Sequence, residues 1–205
     1  MEEQSNPVKV TKKKLIIEDG DEEIIIKNKG SGAGGANTNK NGLPYEEMTN
    51  LESLYSECNK NKKDKSKIIK FNGYENELIN VNKSTLHKYM ENLGEKNSTL
   101  KSAAGCKEPD EAYIDLQRKI IFIIEKKFQQ TPGSVDEKIQ TADFKKKHYG
   151  KLFPNFKIHY IYCLSDWFKH DDYKSILDYL LEINIPVFWG NDKEYKNNII
   201  KFMCS

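Results

Sequence analysis

Residues 119–124 (KIIFII) restrict the fold of this chain more than any other stretch. A short apolar run of β-branched and aromatic side chains is a strand, and one that reads as buried. The run stops abruptly at Glu125-Lys126-Lys127, which sets polar chemistry at the end of that strand. Upstream, Glu111-Ala112-Tyr113-Ile114 forms a second short strand, with Asp115-Leu116-Gln117-Arg118 as the hairpin turn between them. If Ile114 pairs with Lys119, Asp110 lies opposite Ile123. Side chains alternate with period two, so Asp110, Ile123, Glu125 and Lys127 share one face, and Lys126 points the other way. Asp110 is then diagonal to Glu125, at about 7–8 Å, near enough for two carboxylates to share a cation.

Pro109-Asp110, a spacer of fourteen residues and Glu125-x-Lys127 together resemble the signature of the PD-(D/E)xK nuclease superfamily. Acid-x-lysine triplets also occur at Asp143-Phe144-Lys145 and Asp172-Tyr173-Lys174, but neither follows an aliphatic strand or a Pro-Asp pair. The plain alternative for residues 109–127 is a structural hairpin with surface charges. Two further stretches carry the resemblance. Residues 32–49 (GAGGANTNKNGLPYEEMT) resemble the N-terminal segment of some type II restriction endonucleases, including enzymes of large DNA viruses. Residues 133–141 (GSVDEKIQT), followed by FKKKHY, resemble the helix after the catalytic strand in such enzymes.

The resemblance implies that Asp110 and Glu125 bind Mg²⁺, with the carbonyl of Lys126 as a further candidate ligand. The first core helix of the superfamily often adds a glutamate near the metal; Glu46 is the match here, with Glu47 left open. Lys127 would orient the attacking water and stabilise charge on the phosphate, kept protonated by the two carboxylates beside it. Gln140, Lys145 and Lys147 are candidate phosphate contacts. By its residues alone, the Gly/Asn-rich loop over 30–42 is either a mobile linker or a loop that approaches nucleic acid, with Asn37 and Asn39 as candidates for adenine edges, to which Asn is suited. That loop is not a GxxxxGK[ST] phosphate loop, because no Lys-Ser/Thr follows the glycines.

Composition leaves several classes out. The net charge of +2 does not by itself argue for nucleic acid, but residues 59–70 carry six lysines and residues 138–151 five. Each run is either a solvated face or a phosphate contact. Arg118 is the sole arginine, so base reading would fall to Lys, Asn and Gln rather than to bidentate arginine. No apolar run approaches the roughly 20 residues of a membrane span. Cys58, Cys106, Cys163 and Cys204 form no C-x-x-C pair and have no histidine at zinc spacing, which suggests reduced thiols in an intracellular protein. His87, His148, His159 and His170 form no ligand cluster.

Along the chain, residues 1–14 are polar and expected to fray. Residues 15–29 are expected to hold a hairpin, as a structural edge or as an arm toward DNA or a second subunit. A helix is expected over 43–58, with Pro44 in its first turn and Leu51, Leu54 and Tyr55 as its apolar stripe. Lysine-rich 59–66 reads as a loop, and Ile68–Phe71 and Leu78–Val81 as strands. Thr85–Leu93 follows as a helix capped by Ser84 and ended by Gly94. Ser134 and Glu137 form a capping box opening a helix that runs to Pro154, with Ile139, Phe144, Tyr149 and Leu152 as its apolar face. A strand at 156–164, a helix at Asp172–Ile183 and a strand at Ile185–Trp189 imply a parallel pair. The expectation is a single α/β domain over 1–205: a central mixed β-sheet flanked by helices, a restriction-endonuclease-like core, with the catalytic part at 43–190.

The function expected from the resemblance is a Mg²⁺-dependent type II site-specific deoxyribonuclease. It would cut double-stranded DNA at a short palindrome as a homodimer, since a two-fold protein matches a two-fold site. The alternatives are a structure-specific or repair nuclease of the same superfamily and a catalytically silent DNA-binding protein with this fold.

Overall fold

A computed structural model describes residues 44–81, 83–103, 108–130 and 135–205. Among the described residues, seven strands form one sheet in chain order: β1 (Tyr55–Lys60), β2 (Lys67–Phe71), β3 (Leu78–Val81), β4 (Glu111–Asp115), β5 (Ile120–Lys127), β6 (Lys157–Leu164) and β7 (Val187–Trp189). The pairs from β1 through β5 are antiparallel, and β5–β6 and β6–β7 are parallel. Among the described residues, helices accompany the sheet: a short one at 44–48, then α1 (Ser84–Asn92), α2 (Val135–Ile139), α3 (Ala142–Leu152), α4 (Lys174–Glu182) and α5 (Tyr195–Cys204). The chain is thus α/β, with a mixed sheet flanked by helices. Among the described residues no helix is long and apolar enough to cross a membrane.

The unbroken apolar run of β5 follows from cover on both sides of the sheet. Ile121 and Ile123 join Ala112, Ile114, Tyr160 and Tyr162 in a core closed by Leu86 and Met90 of α1, Tyr149 and Leu152 of α3 and Leu180 of α4. Phe122 and Ile124 join Tyr113, Ile161 and Cys163 in a second core, closed by Tyr45, Leu51 and, from α5, Ile199 and Met203. The central hairpin therefore carries the partition of the whole molecule.

Its turn lies one residue later than the sequence suggests. Asp115 pairs with Ile120 and Ile114 with Ile121, leaving Leu116–Lys119 as the turn. Lys119 closes it in the left-handed region at φ 55. The Asp115 carboxylate accepts the Arg118 backbone N–H and Nε–H, both at 2.7 Å. Arg118 also donates to the carbonyl oxygens of Ser205, at 2.6 Å, and Met203. These bonds reward pairing through Asp115 rather than ending the strand at Ile114. Each β4 residue thus meets a β5 partner two positions further on, so face assignments survive and Asp110 moves from a diagonal of Glu125 to the position opposite it.

Other expectations are corrected. The helix expected over 43–58 is present only as a short helix at 44–48, followed by a 3₁₀ turn at Glu52–Leu54 and by β1. The β1 strand is exposed along most of its length, so no apolar alternation announced it. The helix expected to reach Pro154 is interrupted between Ile139 and Ala142, and Phe144 faces solvent at 57% exposure while His148 is buried. Ser84 is the first helical residue of α1 rather than its cap. Gly94 does end α1, at φ 70: its N–H bonds Glu91 O and the Glu95 N–H bonds Met90 O, both at 3.0 Å. The apolar stretch of α5, beyond residue 190, was not anticipated. Residues 1–14, the 15–29 hairpin, the 30–42 loop with Asn37 and Asn39, and the Ser134 cap lie outside the described residues.

Gly190, just after β7, is required by packing. A Cβ there would sit 2.2 Å from the Tyr45 hydroxyl and 2.7 Å from Thr49 Cγ2. Gly190→Ala should therefore lower unfolding free energy by about 1–3 kcal/mol, as overpacking does. Urea denaturation checks this, and an unchanged midpoint would refute the contact.

Candidate active site

The parallel strands β5, β6 and β7 end at one edge of the sheet, where β4 begins and β3 ends. Ligands of open α/β sheets bind outside such carboxyl ends. Asp110, immediately before β4, accepts the backbone N–H of Lys126 at 2.7 Å, which fixes its carboxylate against the end of β5. Lys127 Nζ lies 2.7 Å from Glu125 Oε1 and 3.8 Å from Asp110 Oδ2, so one ammonium bridges the two carboxylates. Lys145, reaching down from α3, meets the same Glu125 oxygen at 3.1 Å. The three charged side chains contributed by β5 and α3 are largely shielded, with Glu125 12%, Lys127 15% and Lys145 14% exposed.

Electrostatics separate the two acids. Burial raises the Asp110 carboxyl above its ordinary range, and neighbouring Glu125 and Glu46 push the same way against the pull of Lys127. Glu125 is buried too, yet the ammoniums of Lys127 and Lys145 hold it below the usual carboxylate range. Burial alone would lower Lys127, but Glu125 and Asp110 outweigh it and raise its pKa, so it stays an ammonium. That property suits charge stabilisation rather than proton abstraction.

The opposite face of the same hairpin carries a second pair. Lys126 Nζ lies 2.9 Å from Glu111 Oε2, with the two side chains 5% and 8% exposed. The Tyr113 hydroxyl donates to the other Glu111 oxygen, and the Tyr55 hydroxyl stands 3.0 Å from that of Tyr113. Lys126 also donates to the carbonyl oxygen of Glu46, at 3.4 Å, tying the short helix at 44–48 to β5. A cavity of about 190 Å³ opens here, lined among others by Glu46, Glu47, Asp110, Glu111 and Lys126. Glu46 thus lies within electrostatic reach of Asp110, and Glu47 borders the same space.

The other expected site residues divide. Lys145 joins the carboxylate cluster instead of standing free for a phosphate. Lys147 is turned outward and bound to Asp143 at 2.6 Å. Gln140 is exposed between α2 and α3. Sequence reasoning missed the Glu111–Lys126 pair, although the signal was present: the residues next to Asp110 and Glu125 face the other way and are themselves oppositely charged.

Among the described residues no group of three or more His, Cys, Asp and Glu side chains is assembled to hold a metal. Asp110 and Glu125 nevertheless suit a small hard cation, which takes few protein oxygens and keeps its waters. Burial, Glu125 and Glu46 all disfavour the ionised form of Asp110, a penalty that such an ion would relieve.

Fold and cluster together define an α/β protein with a shielded Asp–Glu–Lys group at the carboxyl ends of its parallel strands. No family model, curated protein or solved structure matches the chain.

Proposed function

We propose that the protein is a Mg²⁺-dependent endodeoxyribonuclease of the PD-(D/E)xK type, hydrolysing phosphodiester bonds in double-stranded DNA at a short recognition sequence. One observation carries this reading: Asp110 and Glu125 converge from adjacent strands on a single lysine, Lys127, two residues beyond Glu125 on the same strand face. Asp110 and Glu125 would hold the ion, with Glu46 at its margin. Bound there, Mg²⁺ supplies Lewis-acid polarisation of the phosphoryl oxygen and an acidified water. Lys127, released from its bridging position between the carboxylates, stabilises the charge that develops on the phosphate. Lys145 holds Glu125 ionised, ready to accept a cation. A homodimer would match a two-fold recognition sequence.

Supercoiled plasmids of known sequence, incubated with the protein and Mg²⁺, test the proposal. Discrete fragments that vanish on chelation are expected. Smearing, or cutting only at branched substrates, would favour a structure-specific or repair nuclease, and intact plasmid would leave a DNA-binding protein without activity.

A further inference from the structure

The lysines of residues 59–70 are not all alike once folded. Lys67 pairs with Glu52 and Lys70 with Glu57. Lys60, Lys62, Lys63 and Lys65 are exposed and have no ion pair among the described residues. All four lie at or beyond the end of β1, in its turn into β2. The one acid of that turn, Asp64, is occupied within it. It accepts the Ser66 N–H at 3.0 Å, the Ser66 hydroxyl at 2.7 Å and Asn61 Nδ2 at 3.1 Å. The turn is held by its own hydrogen bonds while its ammoniums face water.

Strand register fixes where this charge stands. Lys67 pairs with Asn80, Asn80 with Tyr113 and Tyr113 with Phe122. The turn therefore projects from the same end of the sheet as Asp110 and Glu125. Those two residues lie three positions beyond the Tyr113–Phe122 row, about 10 Å along the strands, and Asp64 lies three positions beyond Lys67. Three strand spacings separate β2 from β5, about 14 Å, and four separate β1 from β5, about 19 Å. Lys83 stands between them at the end of β3. It is exposed, in the left-handed region at φ 44, and its N–H is bound to Pro109 O at 3.0 Å, next to Asp110. The cations of the turn thus stand at the same sheet end as the carboxylates, with Lys83 between them beside Glu46, Glu47 and Glu52, over a span similar to the breadth of a duplex groove with its flanking strands.

We infer that the β1–β2 turn, through Lys60, Lys62, Lys63 and Lys65 and continued by Lys83, is a docking surface for the phosphate backbone of duplex DNA. It holds the duplex across the sheet end without reading bases. This rests on the nuclease reading for its choice of duplex DNA as occupant. Charge complementarity selects a polyanion, and ammoniums on long stems contact phosphates as point charges.

The test uses the full chain without Mg²⁺, binding a fluorescent random-sequence duplex across a range of salt concentrations. In the triple variant Lys62→Gln/Lys63→Gln/Lys65→Gln, affinity at low salt should fall at least about tenfold. The slope of log K against log salt should become shallower by roughly 2–3, since each lost phosphate contact removes about 0.9. Lys157→Gln, an exposed lysine at the opposite end of the sheet, should change neither. An unaltered slope in the triple variant, an equal loss in Lys157→Gln, absence of duplex binding by the parent chain, or stronger binding to duplex RNA or acidic vesicles would each overturn the inference. Plasmid cleavage separates the two proposals. A parent chain that never cuts yet loses slope in the triple variant removes the nuclease assignment and keeps the docking surface. A parent that cuts, with an unaffected triple variant, does the reverse.

Discussion

Asp110→Asn and Glu125→Gln are expected to abolish cleavage alike while moving stability in opposite directions. Each should lower the rate by roughly 10³-fold, about 4 kcal/mol of transition-state stabilisation. Their folding effects follow from the directions of the two pKa shifts. A carboxyl whose folded pKa is raised contributes stability below its unfolded value and loses it as pH rises through the folded value; Asp110 is of this kind. At pH 7 its ionised form is a cost, and an uncharged amide, still able to accept the Lys126 N–H, removes that cost. Glu125 has a lowered folded pKa, so its contribution is present above the unfolded value and disappears as pH falls through the folded one. Glu125→Gln leaves Lys127 and Lys145 shielded from water with far less countercharge, which should cost about 3–5 kcal/mol. Thermal unfolding at pH 7 should show Asp110→Asn at or above the parent and Glu125→Gln well below it. Added Mg²⁺ should raise the parent's midpoint through binding to the folded state and leave Asp110→Asn unmoved. If Asp110→Asn cleaves normally, or if Mg²⁺ stabilises it as it does the parent, Asp110 is no ligand.

On the other side of the hairpin, Lys126→Met should destabilise the protein by about 3–5 kcal/mol, because it strands the Glu111 carboxylate among Tyr113, Tyr55 and apolar neighbours. The double change Lys126→Met/Glu111→Leu removes both charges and should recover most of that loss, since a shielded ion pair contributes little beyond an apolar pair of similar volume. The comparison has a second use. Lys126 also bonds the carbonyl of Glu46, so the double variant should regain stability without fully regaining cleavage. Recovery of neither, by denaturant titration, would mean that the pair is not what holds this region.

The hairpin, the parallel pairs and the mixed α/β class were legible because β5 and β6 are apolar on both faces and because a strand–helix–strand connection admits few geometries. The faces of Asp110, Glu125 and Lys127 were legible through period-two alternation, which a register error of two residues does not disturb. The register itself was not, because it depends on Asp115 bonding Arg118 and on Arg118 reaching the main-chain oxygens of Met203 and Ser205, contacts 85 and 87 residues apart. Lys145 looked like any lysine in a basic run. Its approach to Glu125 needs the break between α2 and α3, and no residue in 139–142 is a helix breaker by composition. The early end of the 44–48 helix and the start of β1 misled for a related reason: Leu51 and Tyr55 fall at helical spacing and meet the same core, but Tyr55 reaches it from the sheet.

Every strand lies beside the one that precedes it in the chain, from β1 to β7. The sheet can therefore grow in the order of synthesis, each new strand adding to an edge already laid down. The hairpin bearing Asp110, Glu125 and Lys127 would form before the residues that shield it have left the ribosome. Lys145 and β6 arrive afterwards, so a nascent chain passes through an interval in which its most highly charged group is still open to water.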